Sequence, residues 1–134
     1  MATTTTNTQS GVESRETHSL IGSDKVEGTA VYGADNQRIG DVKRVMIDKI
    51  SGKVAYAVLG FGGFLGLGED YYPVPWSTLK YDTGLGGYRT NLTADRLKGA
   101  PKYSQSTGWN WNRENDRKVY DYYQAKPYWD HPGM

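Results

Sequence analysis

The sequence predicts a small, mainly β domain: an antiparallel barrel with a short helix after its last strand and an aromatic, partly helical C-terminal tail. Three observations lead there. Short β-prone runs alternate with Gly-, Asn- and Asp-bearing turns through residues 26–92. A brief helix signal follows, with Thr93 as N-cap and Gly99-Ala100-Pro101 as its stop. Beyond residue 103 the chain is rich in Asn, Asp and Lys yet dense in rings, among them Trp109, Trp111, Tyr120, Tyr122, Tyr123, Tyr128 and Trp129.

At 134 residues the length suits one domain, and its composition shifts twice. Residues 1–18 are rich in Thr, Ser and Asn, so they are expected to stay disordered, unable to offset the entropy of ordering. Residues 19–103 hold nearly all the aliphatic side chains and form the barrel domain; residues 104–134 form the aromatic-rich extension. Residues 26–32 read as the first strand, ended by Gly33-Ala34-Asp35-Asn36. Residues 38–48 read as the second, where Ile39, Val42, Val45 and Ile47 break strict period two and call for a bulge or bend. The turn Ile50-Ser51-Gly52 leads into residues 53–61. There Val54, Tyr56 and Val58 fall on one face and Ala55, Ala57 and Leu59 on the other, which marks the most buried strand. Residues 71–76 carry Pro73 and Pro75, which cannot donate to a ladder and place this strand at an edge. Residues 79–82 and 88–92 form a hairpin around Gly84-Leu85-Gly86-Gly87. In the tail, residues 113–124 fit a helix with Val119, Tyr122 and Tyr123 on one side.

Composition closes off several classes of function. Sixteen Lys plus Arg against fifteen Asp plus Glu leave a formal charge of +1, no electrostatic footprint for nucleic acid or an acidic membrane. With no cysteine there is no disulfide framework, zinc-thiolate site or cysteine nucleophile. The N-terminus lacks the basic and apolar regions of a secretion signal, and no apolar run approaches the ~20 residues of a membrane helix. A soluble, cytoplasmic protein without direct membrane insertion is the expectation.

The most distinctive stretch is Gly62-Gly63-Phe64-Leu65-Gly66-Leu67-Gly68-Glu69, apolar side chains on a glycine-rich backbone. Such a loop folds back over an open core or presents an apolar contact to a partner, and one loop can do both. It is not a nucleotide cradle: Leu65 stands where a dinucleotide fingerprint starting at Gly60 needs glycine, and no GK[ST] occurs. Trp76, at the end of its strand, reads as a core cap with its indole N–H at the rim rather than as a binding anchor. The adjacent carboxylates Glu69 and Asp70 project to opposite sides of an extended chain and read as solvated charges, not a catalytic pair. His18 and His131 lie near opposite ends of the chain, which argues against a transition-metal site. Asn91-Leu92-Thr93 matches a glycosylation acceptor by chance. The tail rings lie near Arg113, Arg117 and Lys118 and would suit stacking on single-stranded RNA, but Glu114, Asp116 and Asp121 interleave and cancel the attraction. Packing of Trp109, Trp111 and Tyr123 against the barrel, within a chain or across a dimer, is the preferred reading.

Several of these segments together resemble a known family. Asp48-Lys49-Ile50-Ser51-Gly52-Lys53-Val54, the glycine-rich loop and Val74-Pro75-Trp76 resemble the PRC-barrel domain. The likeness extends upstream through Leu20-Ile21-Gly22-Ser23 and Ile39-Gly40-Asp41-Val42, and downstream through Leu92-Thr93-Ala94-Asp95-Arg96-Leu97 and Pro101-Lys102-Tyr103. That domain occurs in the photosynthetic reaction-centre H subunit, in the ribosome maturation protein and in small stand-alone bacterial proteins. Trp109-Asn110-Trp111-Asn112-Arg113, and Tyr122-Tyr123 with Pro127-Tyr128-Trp129, resemble the tails of stand-alone members. The resemblance implies a PRC-type barrel with a non-catalytic binding or assembly role. The chain has neither the transmembrane helix of the H subunit nor room for the extra domain of the maturation protein.

The reading is a non-enzymatic protein-interaction or assembly module, acting as a homodimer with a further, unknown protein partner and needing no cofactor or metal. Its expected contact surface is Phe61, Phe64, Leu65 and Leu67 with Trp109, Trp111, Tyr123 and Trp129, more apolar surface than so small a barrel easily hides. An RNA or ribosome-assembly adaptor, and an accessory factor of a membrane or photosynthetic electron-transfer complex, are the rival roles. A small-molecule barrel or enzyme would need convergent polar groups, and the sequence offers no such set.

Overall fold

A computed structural model describes residues 15–61 and 69–130. Its centre is one six-stranded sheet in the order β4-β3-β2-β1-β6-β5. The strands are β1 (Ala30–Tyr32), β2 (Arg38–Ile47), β3 (Val54–Phe61), β4 (Asp70–Pro75), β5 (Lys80–Asp82) and β6 (Gly87–Arg89). Helices α1 (Ser23–Val26), α2 (Ala94–Lys98) and α3 (Arg113–Tyr123) surround it, with single 3-10 turns at Trp76–Thr78 and Tyr128–Asp130.

The first strand is shorter than its sequence predicts. Val26 ends a helical turn, and Gly28 follows at φ +87, a left-handed conformation outside the β region. Extended structure therefore begins only at Ala30. From there β1 through β4 run as an antiparallel meander. In β2 the register slips between Val42 and Arg44 and again between Met46 and Ile47, the irregularity that its broken alternation requires. β3 has a paired strand on each side and is buried at all six interior positions. β4 lies at an edge, where Pro73 and Pro75 need no ladder partner for a missing N–H.

Two features differ from an antiparallel barrel. β5 and β6 form the expected hairpin, but β6 joins β1 in parallel, with Val31 opposite Tyr88 and Tyr32 opposite Arg89. Gly87 makes this approach possible: a Cβ there would stand 2.7 Å from the Ala30 carbonyl oxygen. The sheet is thus mixed. It is also open, because β4 and β5 are its two edges and do not pair with each other.

Val31, Val42, Ala57, Leu59 and Val74 of the sheet share one core with Leu97 of α2 and Val119, Tyr120 and Tyr123 of α3. Trp76 packs on its margin, its ring 5.3 Å from that of Tyr88. Thr93 caps α2 as its position predicts, accepting from the Arg96 N–H at 3.1 Å. Asn112 does the same for α3, accepting from the Asn115 N–H at 2.8 Å. The buried stripe of α3 is Asp116, Val119, Tyr120 and Tyr123, spaced i, i+3, i+4, i+7. Tyr122, placed on that stripe by its spacing, turns toward α2 instead and donates its hydroxyl to the Arg96 carbonyl.

Candidate interaction site

The sequence after α2 returns to the sheet at Tyr103, which exchanges two backbone hydrogen bonds with Tyr71 at 2.8 and 2.9 Å. This bridge lays the tail along the outer edge of β4. A turn follows, closed by the Gly108 N–H donating to the Ser104 carbonyl and by Gly108 at φ +64. It delivers Trp109 and Trp111 onto one face of the sheet.

Strand parity fixes which face. Tyr56, Val58 and Gly60 lie opposite Pro75, Pro73 and Tyr71, so these residues share one side. Along it the rings of Tyr71, Tyr103, Trp109 and Trp111 form a row with successive centroid spacings of 5.5, 5.9 and 6.4 Å. Trp111 then meets Tyr56 edge to face at 5.3 Å. The row walls a groove of about 310 Å³, with Val58, Lys43 and Arg44 contributed by the sheet.

Electrostatics divide the two cations. Lys43 Nζ sits 3.5 Å from Asp41 and 3.2 Å from Glu69. Burial acts to lower its pKa, but the hydrogen bonds and charges of Glu69 and Asp41 outweigh it and raise the pKa above the ordinary lysine value. Arg44 forms no ion pair among the described residues. Its charge opposes, without overcoming, the burial that raises the Tyr103 phenol. The indole N–H of Trp109 is buried and meets no acceptor among the described residues, an arrangement that costs about 1–3 kcal/mol where no partner is supplied.

Beneath this groove the tail is locked by a buried polar cluster. The Tyr56 hydroxyl donates to Asp116 at 2.5 Å, and the Tyr128 hydroxyl donates to the other carboxyl oxygen at 3.4 Å. Arg113 lies 3.5 Å from the same carboxyl, and its guanidinium covers the Trp129 ring at 4.3 Å from the centroid. The Tyr120 hydroxyl donates to the Ala55 carbonyl at 2.6 Å. Burial, then the hydrogen bond to Asp116, pushes the Tyr56 phenol far above its ordinary pKa; burial does the same to Tyr120. Asp116 is therefore not one of the surface charges that screen the tail cations, as its neighbours suggest; it is 5% exposed and holds the tail down.

The residues expected to form the contact surface separate into groups. Phe64, Leu65 and Leu67 lie outside the described residues. Phe61 is half-buried at the end of β3, with its ring 5.8 Å from Tyr72 on the face away from the groove. Tyr123 belongs to the core, and Trp129 is half-buried with its ring 5.3 Å from Tyr120. Trp109 and Trp111 alone come together at the groove, and Trp111 is 37% exposed. Tyr71, Tyr103, Lys43 and Arg44 complete it without any local signal, because their meeting depends on the bridge between residues 71 and 103. Asp116 did leave a trace, the i, i+3, i+4, i+7 spacing to Val119, Tyr120 and Tyr123.

The carboxylates Glu69 and Asp70 go to separate lysines, Glu69 to Lys43 and Asp70 to Lys102 at 3.7 Å. Among the described residues no three His, Asp or Glu gather in a metal-binding arrangement, and no helix is long and apolar enough to cross a membrane.

An uncharacterized protein of Deinococcus radiodurans is 29% identical over 76 residues, covering 57% of this chain. The matched stretch is only 27% of that relative's length. The PRC-barrel domain matches residues 19–97, more than half of the chain and the whole sheet with α1 and most of α2. The chain belongs to the PRC-barrel domain family.

Proposed function

We propose that this PRC-barrel protein is a non-enzymatic protein-interaction or assembly module that acts as a homodimer. The observation that carries the reading is a concentration of exposed apolar side chains beside the ring-walled groove. Ile47 is 53% exposed and Ile50 91%, and neither lines the groove itself. Ile47 stands opposite Val54, and Met46 opposite Tyr56, the residue on which Trp111 packs. Ile47 therefore lies at the end of the same sheet face, and Ile50 stands in the turn that follows β2. Exposed apolar clusters with polar rims mark contact sites, and Trp, Tyr and Arg are the side chains enriched where such contacts are strong.

A symmetric contact through this end would cover the same residues on both copies. The test is light scattering coupled to size exclusion on the full chain and on an Ile47→Asp, Ile50→Asp double variant. From about 1 to 100 µM, a range bracketing micromolar affinity, the wild type is expected to move toward the dimer mass and the variant to stay monomeric. A wild type that remains monomeric throughout removes the homodimer; a variant that dimerises equally well moves the contact elsewhere.

A further inference from the structure

We infer that the groove between the sheet and the tail takes an extended, proline-rich segment of a partner protein that carries an acidic side chain. The inference rests on the protein-interaction reading and names the ligand class. About 310 Å³ is at the lower end of ligand pockets, which suits a short piece of chain and not a folded surface. Its wall is the row of rings from Tyr103 through Trp109 to Trp111. Aromatic grooves recognise polyproline II segments because that helix is preformed and gives up little entropy on docking.

The hydrogen-bonding chemistry is also complementary. A proline-rich backbone offers carbonyl acceptors and almost no N–H donors. The groove can meet these acceptors: Arg44 and Lys43 present donors only, and the Gln105 amide and the Tyr71 and Tyr103 hydroxyls can donate beside them. Lys43 is already held between Asp41 and Glu69, which leaves Arg44 as the cation for a carboxylate from the ligand. Single-stranded RNA would also stack on rings, but it needs several phosphates neutralised, and one uncommitted arginine does not do that.

The test is titration of the full chain, followed by tryptophan fluorescence and calorimetry. The probes are a blocked oligoproline peptide with a central glutamate, the same peptide with lysine, and a short oligouridylate. The glutamate peptide is expected to bind about tenfold more tightly than the lysine peptide. Arg44→Glu, at an exposed strand position, should reverse that order while leaving circular dichroism unchanged. Trp111→Ala should weaken the glutamate peptide about tenfold or more. Equal binding of the two peptides, no peptide binding, or oligouridylate binding alone would each overturn the inference. If peptide binding fails while the Ile47, Ile50 double variant still abolishes the dimer, only the ligand class falls; if both fail, the interaction reading falls with it.

Discussion

The two edges of the sheet are finished in opposite ways. β4 is a six-residue strand with two prolines, bridged by Tyr103 and packed against α3. β5 is three residues long and carries Lys80 and Asp82 at its ends, with Lys80 exposed. An unpaired edge invites pairing with another chain, and proteins blunt it either by covering it or by keeping it short and charged. This molecule does one on each side. The covered edge concentrates buried side chains and a buried carboxylate; the short edge carries polar contacts nearer the surface, chiefly Asp82 with Arg89 at 3.0 Å. The difference teaches where the tail's aromatic residues go: many of them complete the β4 side of the domain before any partner is considered.

The largest expected effect comes from breaking the lock beneath the covered edge. Asp116→Ala removes the acceptor of the Tyr56 hydroxyl and the partner of Arg113, leaving the phenol buried and unpaired. A loss of about 3 kcal/mol is expected, read as a lower denaturant midpoint, against almost none for the exposed control Glu114→Ala. Equal effects from the two substitutions would remove Asp116 from its role.

An alkaline titration of stability gives a smaller and graded effect. Tyr56, Tyr120 and Tyr123 all have phenol pKa values raised by burial in the folded chain. Above about pH 10 the unfolded chain loses those protons while the folded chain keeps them, so the unfolded state binds fewer protons. Stability contributed by the raised pKa values is fully present below about pH 10 and is lost as the pH climbs from there. Thermal melts should therefore fall steeply above that pH, and Tyr56→Phe should flatten the slope even as it lowers stability at neutral pH. An unchanged slope would mean that the tail is already released before these phenols ionise.

The smallest effect belongs to the bare edge. Lys80 lies directly opposite Arg89, like charges across a hairpin. Lys80→Glu should leave stability within about 0.5 kcal/mol or raise it slightly, with an unchanged denaturant slope. A large loss there would show that β5 is covered in solution and would erase the contrast between the edges.

Much of the sheet was legible because its signals are local. The turn Asp48 to Lys53, the two-sided burial of β3 and the prolines of β4 follow from alternation and turn chemistry within a few residues. The start of β1 was misread because Gly28 interrupts a β-prone run in a way that only its φ reveals. The groove was half legible: Trp109 and Trp111 stand out in any reading of the tail, whereas Arg44 and Tyr71 look like ordinary strand residues.

The sequence by itself determined the family, the hairpin-forming strands, the Thr93 cap and an aromatic tail that must pack somewhere. Each follows from residue type and near-neighbour spacing. Only tertiary structure decided that β6 lies parallel to β1, that the sheet stays open, and that Asp116 is a buried anchor. The physical reason is distance along the chain. Gly87 beside Ala30, Tyr103 beside Tyr71 and Tyr56 beside Asp116 are contacts across 32 to 60 residues, and side-chain periodicity carries no information over such a span.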